Sequence, residues 1–498
     1  VQMASQAENP SENTPLVESI ESGTPKLKSV YSQHATTVPI NMVLLGSCAC
    51  ASLTGMSLGF DIGVTSDAID DIAKDWNLSF VDRELCVGIL SFVAAFGALI
   101  ALITVDSMGR RVTMAISSIF LICGAFFQGL AKNYEELMFG RILAGLGVGT
   151  GLVVSTMYIS EISPAAGRGM LGSLLDINAN FGVALGFFIG YTCGVQFSTD
   201  QSWRIMICLG SIPPFISLIS VYFIPESPRW LIMTERPGEA KRALSQLGDL
   251  NIDYTLQAIV DEHNESKAFE GILFDKTTRR ALLIAAGLGI MQQISGTEAI
   301  LYYTPKFLID AGMSNGFRQM MGEVIIALSR LFINLFMALK VDSSGRRVLL
   351  IKSAIGVTIA LFTLIFTFSV DGKPWVIILF VGLYMLCYAA GQGLVTFLVA
   401  TEILPTHVRA QGMALTTLVN RLTAGIISTT ALTFVQKMGY SGFFSFYFLL
   451  SITPIMFYVA MAPETSRKTL EELSANFRLE IQMEKQEKEK AKSGLNFD

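Results

Sequence analysis

Apolar segments of about 20 residues recur along the chain, and polar stretches separate them. A helix of about that length crosses the hydrocarbon core of a bilayer. Six segments precede a charged central stretch, at about 40–63, 86–105, 112–131, 137–159, 170–192 and 204–224. Six more follow it, at about 281–303, 317–340, 347–370, 375–400, 411–434 and 442–462. The pattern predicts an all-α membrane protein with twelve transmembrane helices in two six-helix halves.

The polar stretches divide the chain into five parts. Residues 1–37 are polar and rich in Ser, Thr and Glu, which predicts a disordered cytosolic tail. The first half takes residues 38–224, and the second half takes residues 281–463. We expect a cytosolic linker with short helices at 225–280 to join the halves. A charged cytosolic tail, 464–498, ends the chain.

Three charged motifs occur once in each half at nearly the same offset, which is typical of transporters built from two parallel repeats around a site. Asp106-Ser-Met-Gly-Arg-Arg111, for example, returns as Asp342-Ser-Ser-Gly-Arg-Arg347. The cations fall on one side of the membrane, which this excess marks as cytosolic. We expect ion-pair clusters there that gate the cytosolic face. Their members are Asp106, Arg110, Arg111, Glu161, Arg168 and Glu226 in the first half, and Asp342, Arg346, Arg347, Glu402, Arg409 and Glu464 in the second.

Composition agrees with a membrane protein and excludes other classes. The chain is 51% hydrophobic and 15% charged, whereas soluble proteins carry about 25% charged residues. The three His and seven Cys do not group as metal ligands or as a catalytic set. We therefore expect no enzyme activity, no metal and no cofactor. No basic surface suits nucleic acid, so the expected partners are the lipid bilayer and a small solute, and the expected state is a monomer.

The seventh apolar segment contains an unusual concentration of polar side chains, in GIMQQISGTEAILYYTP from Gly289 to Pro305. Gln292, Gln293 and Glu298 are costly in lipid unless they face a cavity or another helix. A Gly and a Pro in this stretch weaken the helix, and interrupted helices commonly line transporter binding sites. We favour a substrate pocket, and polar contacts between packed helices are the alternative.

Other charges inside the membrane also require partners. Asp61 ends the first helix and Arg141 opens the fourth. If they face each other, protonation of Asp61 releases Arg141 and couples a proton gradient to opening; a permanent structural ion pair is the alternative. Asp176 and Glu298 suit a ligand with many hydroxyl donors, and Arg330 is positioned to offset Glu298. The competing interpretation is that these acids select a cationic substrate or carry protons themselves.

The motifs together resemble the sugar porter family of the major facilitator superfamily, over about residues 40–470. The resemblance rests on Gly59-Phe60-Asp61, the two Gly-Arg-Arg loops, Gly140-Arg141, Glu161 to Gly169, Pro225-Glu-Ser-Pro-Arg-Trp230, Gln292-Gln293-x-Ser-Gly296 and Pro463-Glu-Thr465. Asp176 and Glu298 stand where hexose carriers of the family have Gln and Asn. Both acids resemble the plant polyol transporter branch.

The resemblance implies the major facilitator fold and a plasma-membrane protein that takes up a linear polyol, such as sorbitol or mannitol, or a monosaccharide with protons. It implies that Asp61 carries the proton with Arg141 as its partner. The substrate residues that it implies are Asp176, Ile177, Gln292, Gln293, Glu298, Tyr302, Arg330, Phe397 and Asn420. A hexose:proton symporter or a uniporter is the first alternative. A sugar or polyol sensor that does not transport is the alternative of another class.

One departure from the family falls in the tenth helix. The family has Gly-Pro-x-x-Trp where this chain has Gly393-Leu-Val-Thr-Phe397. Proline disrupts a helix, so its loss predicts a stiffer gating helix here. Phe397 keeps an aromatic face but lacks the indole N–H donor.

Overall fold

The computed structural model describes residues 41–164, 167–267, 276–310, 312, 316–370, 373–405 and 408–466. These residues form helices and turns and contain no strand. The tail predicted at 1–37 and all but the first three residues of the tail predicted at 464–498 lie outside the described residues. The predicted all-α class is confirmed, and the helices that cross the membrane are named below as spans in chain order.

The first half contains six spans with short connections. Span 1 is bent between two helices at Ser52, and Asn41 caps its start by accepting a hydrogen bond from the amide of Leu44. Ser79 caps span 2 in a capping box with Asp82, an arrangement that satisfies helix-end amides. The bounds of spans 1 to 6 are Met42–Trp76, Phe80–Met108, Arg110–Gly129, Tyr134–Ile162, Arg168–Gln196 and Asp200–Ser220.

The linker contributes three short helices, Pro228–Met233, Pro237–Leu247 and Ile252–Lys267, which share a small apolar cluster around Trp230 and Ile259. The second half then repeats the plan of six. Span 7 consists of Lys276–Gln293 and Thr297–Asp310; spans 8, 9 and 10 are Gly316–Ala338, Arg346–Ser369 and Pro374–Ile403. Spans 11 and 12 run on as Arg409–Ala460, with a break at Gly439.

Twelve membrane crossings result, as the hydropathy pattern predicts. Ten helical stretches in the described residues are long and apolar enough to cross a membrane. One of them, Arg409–Ala460, holds two crossings because Gly439 has φ +68° and ψ 175°, a conformation that suits glycine. Span 7 completes the set although its helix is divided. Some helices, such as Phe80–Met108 and Tyr134–Ile162, are longer than their apolar segments because polar residues extend and cap their ends.

The interruption of span 7 occurs at the predicted glycine but not at the predicted proline. Gly296 has φ +87°, and a Cβ there would lie 2.7 Å from the Tyr447 ring. A side chain at this position is therefore excluded by both conformation and space. Pro305, which is expected to weaken the helix, lies inside Thr297–Asp310, and the helix continues through it. Membrane helices tolerate proline where neighbouring groups satisfy the freed carbonyl.

Span 10 also departs from regular helix, in a place where the sequence predicts stiffness. Residues Ala389–Gly393 form a π-helical turn directly before the segment that lacks the family's proline. The Ser353 hydroxyl accepts a hydrogen bond from the Gln392 amide and donates to the Cys387 carbonyl. A π-helical turn is a common feature of functional sites in helices. Span 10 therefore has a local irregularity without a proline.

The two halves meet most closely through spans 2 and 11. A Cβ on Gly88 would lie 2.0 Å from Thr429, and one on Gly425 would lie 2.9 Å from Phe92. Nearer the predicted outer end, Glu84 accepts hydrogen bonds from the amide and the hydroxyl of Thr433, at 2.7 and 2.6 Å. Small residues allow such close packing of membrane helices. Besides this contact between spans 2 and 11, the two halves enclose a cavity between them.

Candidate functional site

A cavity with an apolar surface and several polar side chains lies between the two halves, and its space, together with adjoining solvent, is about 1020 Å³. Both halves contribute to its walls, through spans 1, 4 and 5 on one side and spans 7, 8, 10 and 11 on the other. Six of the nine substrate residues expected from the sequence line it: Asp176, Gln292, Gln293, Glu298, Arg330 and Phe397. Binding sites of transporters commonly lie in this position, at the interface of repeats.

The other three expected residues are not among those that line the cavity. Asn420 stands behind the two glutamines: its amide donates to Gln292 Oε1 and to the Gly289 carbonyl, both at 2.8 Å. Ile177 follows Asp176 and cannot share its direction on a helix. Tyr302 is 2% exposed and interacts electrostatically with Asp61 and Glu298. The three residues therefore lie outside the lining, and Asn420 contacts it directly through Gln292.

The break in span 7 sets the direction of the glutamines. Gln292 lies in the last turn before the break, and its Nε2 donates to the Gln392 carbonyl at 3.1 Å in the π-helical turn of span 10. Gln293 Nε2 lies 3.4 Å from Asn420 Oδ1. Because partners on spans 10 and 11 hold both amides, the glutamines are pre-oriented for a ligand.

Asp176 is bound by two amides, one from each half. Its Oδ2 accepts from Asn334 Nδ2 at 2.6 Å and from Asn180 Nδ2 at 3.2 Å. Asn334 is fully buried in span 8, so its bond to span 5 crosses between the halves. The sequence analysis missed Asn334. The available signal was its position four residues after Arg330, which places both on one face of a helix.

Glu298 has a different cation from the one the sequence suggested. Arg421 Nη1 lies 2.9 Å from Glu298 Oε1, and Arg421 also donates to Asn420 Oδ1 through Nε and Nη2. Arg330 instead stacks 5.4 Å from the centre of the Tyr388 ring and interacts electrostatically with Asp176. The expectation that Arg330 offsets Glu298 therefore gives way to an ion pair with Arg421, whose position inside the membrane was the available signal.

Asp61 and Arg141 do face each other. Arg141 Nη1 donates to both carboxylate oxygens, at 3.1 and 3.0 Å, and Nη2 donates to Thr65 Oγ1 at 2.6 Å. Arg141 is fully buried, and the partly exposed Asp61 lines a second cavity inside the first half, together with Ser57 and Gln128. The pair lies outside the lining of the central cavity.

The charged motifs of the first half form one connected cluster. Arg110 donates to both oxygens of Glu161, at 2.9 and 2.7 Å, and both groups are almost fully buried. The Glu226 carboxylate accepts from the amides of Arg110 and Arg111, each at 3.2 Å. Burial raises the pKa of the Glu226 carboxyl, and these amides and Arg110 offset part of that effect.

The second half builds a similar cluster, in which the contact between the arginine and the buried glutamate is longer. Glu464 accepts from the amides of Arg346 and Arg347, at 2.8 and 3.2 Å. Arg346 lies 2.7 Å from Asp342 but 3.5 Å from Glu402.

Two kinds of contact join the clusters of the two halves. Asp342 accepts from the amides of Gly169 and Met170 across the interface, at 3.0 and 3.1 Å. Arg168 interacts electrostatically with Glu402, and Arg409 with Glu161. All twelve expected gate residues therefore belong to this network or its immediate contacts, with Asp106 lying 3.6 Å from Arg110. Among the described residues, no group of His, Cys, Asp and Glu is arranged to hold a metal ion.

Twelve crossings in two repeated halves, a cavity between them with polar side chains in its wall, and paired charges at one face define a membrane transporter of the major facilitator fold. The chain belongs to the family described as "Sugar (and other) transporter", whose model matches residues 47–477.

Similar proteins include two from Arabidopsis thaliana. "Probable polyol transporter 4" is 33% identical over 440 residues, which cover 86% of this chain and 84% of that protein. "Polyol transporter 5" is 30% identical over 465 residues, which cover 86% of each.

Solved structures agree on the fold. The proton:xylose symporter XylE bound to 6-bromo-6-deoxy-D-glucose has a TM-score of 0.81 at 24% identity, over 88% of this chain and 100% of that chain. The inward open conformation of XylE from E. coli has a TM-score of 0.70 at 24% identity, over 87% of this chain and 99% of that chain.

Proposed function

We propose that the protein carries a linear polyol, or a monosaccharide, across the membrane by alternating access in symport with protons. The observation that carries the substrate class is the pair of acids, Asp176 and Glu298, in the cavity wall. A linear polyol offers a hydroxyl donor on every carbon, and carboxylates accept such bonds strongly. The names of the Arabidopsis relatives support the same class.

The proposed binding residues divide into three roles. Gln292 and Gln293 donate and accept hydrogen bonds from span 7, since each amide has both kinds of atom. Asp176 and Glu298 accept from hydroxyls, with Arg330 and Arg421 balancing their charge. Phe397 presents an apolar face to the carbon chain. Ile177, Tyr302 and Asn420 hold the wall in place from behind.

Asp61 is the proposed proton carrier. Its carboxylate is bonded to Arg141 and lies outside the lining of the central cavity, so this role does not depend on direct contact with the substrate. Protonation removes the charge that holds Arg141, and release of a buried Arg favours a rearrangement of the helices around it. A proton:xylose symporter has the same fold, which is compatible with such coupling.

The charged clusters are the proposed cytosolic gate, and their side of the membrane is the proposed location of both termini. Alternating access then requires the bonds of Asp342 to Gly169 and Met170 to break when the cavity opens to the cytosol. The plasma membrane is the proposed location and a monomer the proposed state.

Uptake by purified protein in liposomes tests the proposal. Labelled sorbitol, mannitol, inositol and glucose are compared with and without an inward acid gradient. Accumulation of a linear polyol only with the gradient supports both substrate and coupling. Glucose preferred over every polyol contradicts the substrate class, and equilibration that ignores the gradient makes the protein a uniporter. Binding without exchange of labelled substrate identifies a sensor.

A further inference from the structure

Two cavities lie on opposite faces of span 1. One face lines the central cavity and carries Gly55, Leu58, Gly59 and Ile62. The other face lines the cavity inside the first half and carries Ser57, Phe60, Asp61 and Val64. Each set is spaced by three and four residues, which places its members on one side of a helix. The two linings share no described residue, so span 1 separates the central cavity from the space that Asp61 faces.

The cavity inside the first half is enclosed by spans 1, 2, 3, 4 and 6. Its space, together with adjoining solvent, is about 420 Å³. Most of its lining is apolar, and the polar side chains in that lining are Ser57, Asp61 and Gln128. A water molecule takes up about 30 Å³ in the liquid and, when buried, needs two to four polar partners. The cavity offers both the space and the partners.

Gln128 has an amide oxygen that needs such a partner. The residue lies in the last turn of span 3 and is 1% exposed. Its Nε2 donates to the Gly124 carbonyl at 3.2 Å, which fixes the orientation of the amide because a carbonyl accepts only from a donor. Its Oε1 has no hydrogen-bond partner among the described residues. A buried acceptor without a partner is costly, and a water in the adjoining cavity would satisfy it.

The Gly140-Arg141 motif brings Gln128 and Asp61 to the same cavity. A Cβ on Gly140 would lie 2.6 Å from Gln128 Cγ and 2.7 Å from the Gln128 backbone nitrogen. Any side chain at position 140 would therefore displace Gln128. The next residue, Arg141, holds Asp61 in an ion pair at 3.0 Å. The motif thus positions both polar groups from span 4.

The Asp61 carboxylate can accept a further hydrogen bond. Arg141 Nη1 donates to both of its oxygens, and each carboxylate oxygen has two lone pairs. The Asp61 side chain is 20% exposed although it lies outside the lining of the central cavity. The cavity inside the first half is the space that it lines. The other titratable groups that act electrostatically on this ion pair are Cys86 on span 2 and Tyr302 on span 7.

We infer that the cavity inside the first half is a water site through which protons reach Asp61, and that Gln128 Oε1 binds this water. The water site stands without the proposed function, whereas proton delivery rests on Asp61 as the proposed proton carrier. A hydronium ion in the cavity gives one proton to a carboxylate oxygen of Asp61 and remains as neutral water. Gln128 accepts a hydrogen bond from this water and is not itself protonated. Substrate and proton then use opposite faces of span 1.

The position of Gln128 suits entry of protons from outside. Span 3 begins at the gate residue Arg110 and ends at Gly129, so Gln128 lies at the end away from the proposed cytosolic gate. An inward acid gradient supplies protons from that side. The cavity joins this end of span 3 to Asp61 in the interior of span 1.

Hydroxyl-radical footprinting of the purified protein tests the water site, because radicals formed from a bound water oxidise the side chains beside it. Phe60 lines the cavity and is 2% exposed, whereas Phe187 is 1% exposed and lines neither cavity. Phe60 is expected to be oxidised severalfold faster than Phe187. Gln128→Met keeps the length of the side chain without the acceptor oxygen and is expected to lose this excess. Equal oxidation in the wild type, or an excess that survives in Gln128→Met, overturns the inference.

Transport in liposomes tests the delivery of protons. Gln128→Met is expected to slow uptake driven by an inward acid gradient. Gln128→Glu is expected to restore it, because a carboxyl oxygen accepts the same hydrogen bond. Exchange of labelled substrate with acid on both sides should keep its wild-type rate in Gln128→Met, since Asp61 then stays protonated throughout. Slowed exchange would assign Gln128 to helix packing, and unchanged uptake would mean another proton route; either result overturns the inference.

A change that fills the cavity leaves Gln128 in place. Ala125 on span 3 lines the cavity, so Ala125→Leu takes up part of its space. Ala115→Leu adds the same volume to the same helix outside the lining. Gradient-driven uptake should fall in Ala125→Leu alone, and an equal rate in the two variants overturns the inference. Uphill uptake by Asp61→Asn would instead exclude the proposed proton carrier and leave the oxidation of Phe60 unchanged, which distinguishes the two failures.

Discussion

Arg110 in the first half is held by both oxygens of Glu161, at 2.7 and 2.9 Å. Its counterpart Arg346 lies 3.5 Å from Glu402 and 2.7 Å from Asp342. Asp342 in turn accepts two amides of the first half, whereas its counterpart Asp106 lies 3.6 Å from Arg110. The same motif therefore closes on itself in one half and reaches across the interface in the other. One copy of the motif therefore forms a buried ion pair within its own half, and the other copy forms hydrogen bonds across the interface between the halves.

The interiors of the halves differ in a related way. Asp61 and Arg141 of the first half lie outside the lining of the central cavity, whereas Glu298 and Arg421 of the second half line it. Under the proposed function, proton coupling therefore falls to the first half, whereas both halves contact the substrate, through Asp176 in the first and Glu298 in the second. Four changes, given from the largest expected effect to the smallest, test this division.

Asp61→Asn is expected to abolish uphill uptake and to spare exchange. The amide keeps a hydrogen-bond acceptor for Arg141 but cannot change its charge between pH values. Uptake against a gradient and counterflow in liposomes measure the two activities. Asp106→Asn is the matched control, because it removes an acid of the same half that lies 34% exposed at the gate. Continued accumulation by Asp61→Asn would exclude Asp61 as the proton carrier.

Glu161→Gln is expected to destabilise the protein more than Glu402→Gln. Removal of one partner from a buried ion pair costs about 3–5 kcal/mol, because the other charge remains buried. Glu161 forms the shorter, two-oxygen pair with Arg110, and Glu402 lies 3.5 Å from Arg346. Thermal unfolding of purified protein measures both. Equal losses in Tm would mean that the two clusters are not different in rigidity.

Much of this division could be predicted from the sequence, for physical reasons that differ from residue to residue. An unpaired charge inside the membrane is costly, and the first half offers few partners of opposite charge for Asp61 and Arg141. Their pairing could therefore be predicted. Glu298 had two possible cations, Arg330 and Arg421. The sequence does not show which helix lies nearer, and the direct ion pair, at 2.9 Å, is formed by Arg421.

The interruptions of the helices could also be predicted only in part. Gly296 adopts a conformation that glycine favours, and its break was predicted. Pro305 lies within a helix that continues, because packing around a membrane helix compensates for a lost amide. The π-helical turn at Ala389–Gly393 has no sequence signature that a single chain reveals. Asn334 was missed because one buried amide in an apolar helix is commonly a packing contact.

Glu298→Asn is expected to shift preference from linear polyol towards ring hexose. The change removes the charged acceptor in the cavity, and a hydrogen bond to a charged group contributes about 1.5–3 kcal/mol. The ratio of sorbitol to glucose uptake should therefore fall by roughly 10- to 100-fold. Competition of the two substrates in liposomes measures this ratio. Glu298→Asp, which keeps the carboxylate, is the control, and an unchanged ratio in Glu298→Asn would show that the acid does not determine specificity.

Asp342→Asn is expected to open the cytosolic face by a smaller amount. The variant weakens two bonds from a carboxylate to the amides of Gly169 and Met170 but keeps one acceptor oxygen. A loss of about 1.4 kcal/mol in the closed state would raise the open population about tenfold. A single cysteine at Thr401, which lines the cavity, reports that opening through its rate of alkylation in a background without the native cysteines.

Asp106→Asn provides the matched comparison, since its bond to Arg110 stays within the first half. In Asp106→Asn, the cysteine at position 401 should be alkylated at the same rate as in the protein that keeps both Asp106 and Asp342. Faster alkylation in both variants would mean that any loss of charge loosens the cytosolic face, and the asymmetry between the halves would then be a feature of one conformation. Faster alkylation in Asp342→Asn alone would assign the movable contact to the second half, because only there does the repeated acid bind the opposite half.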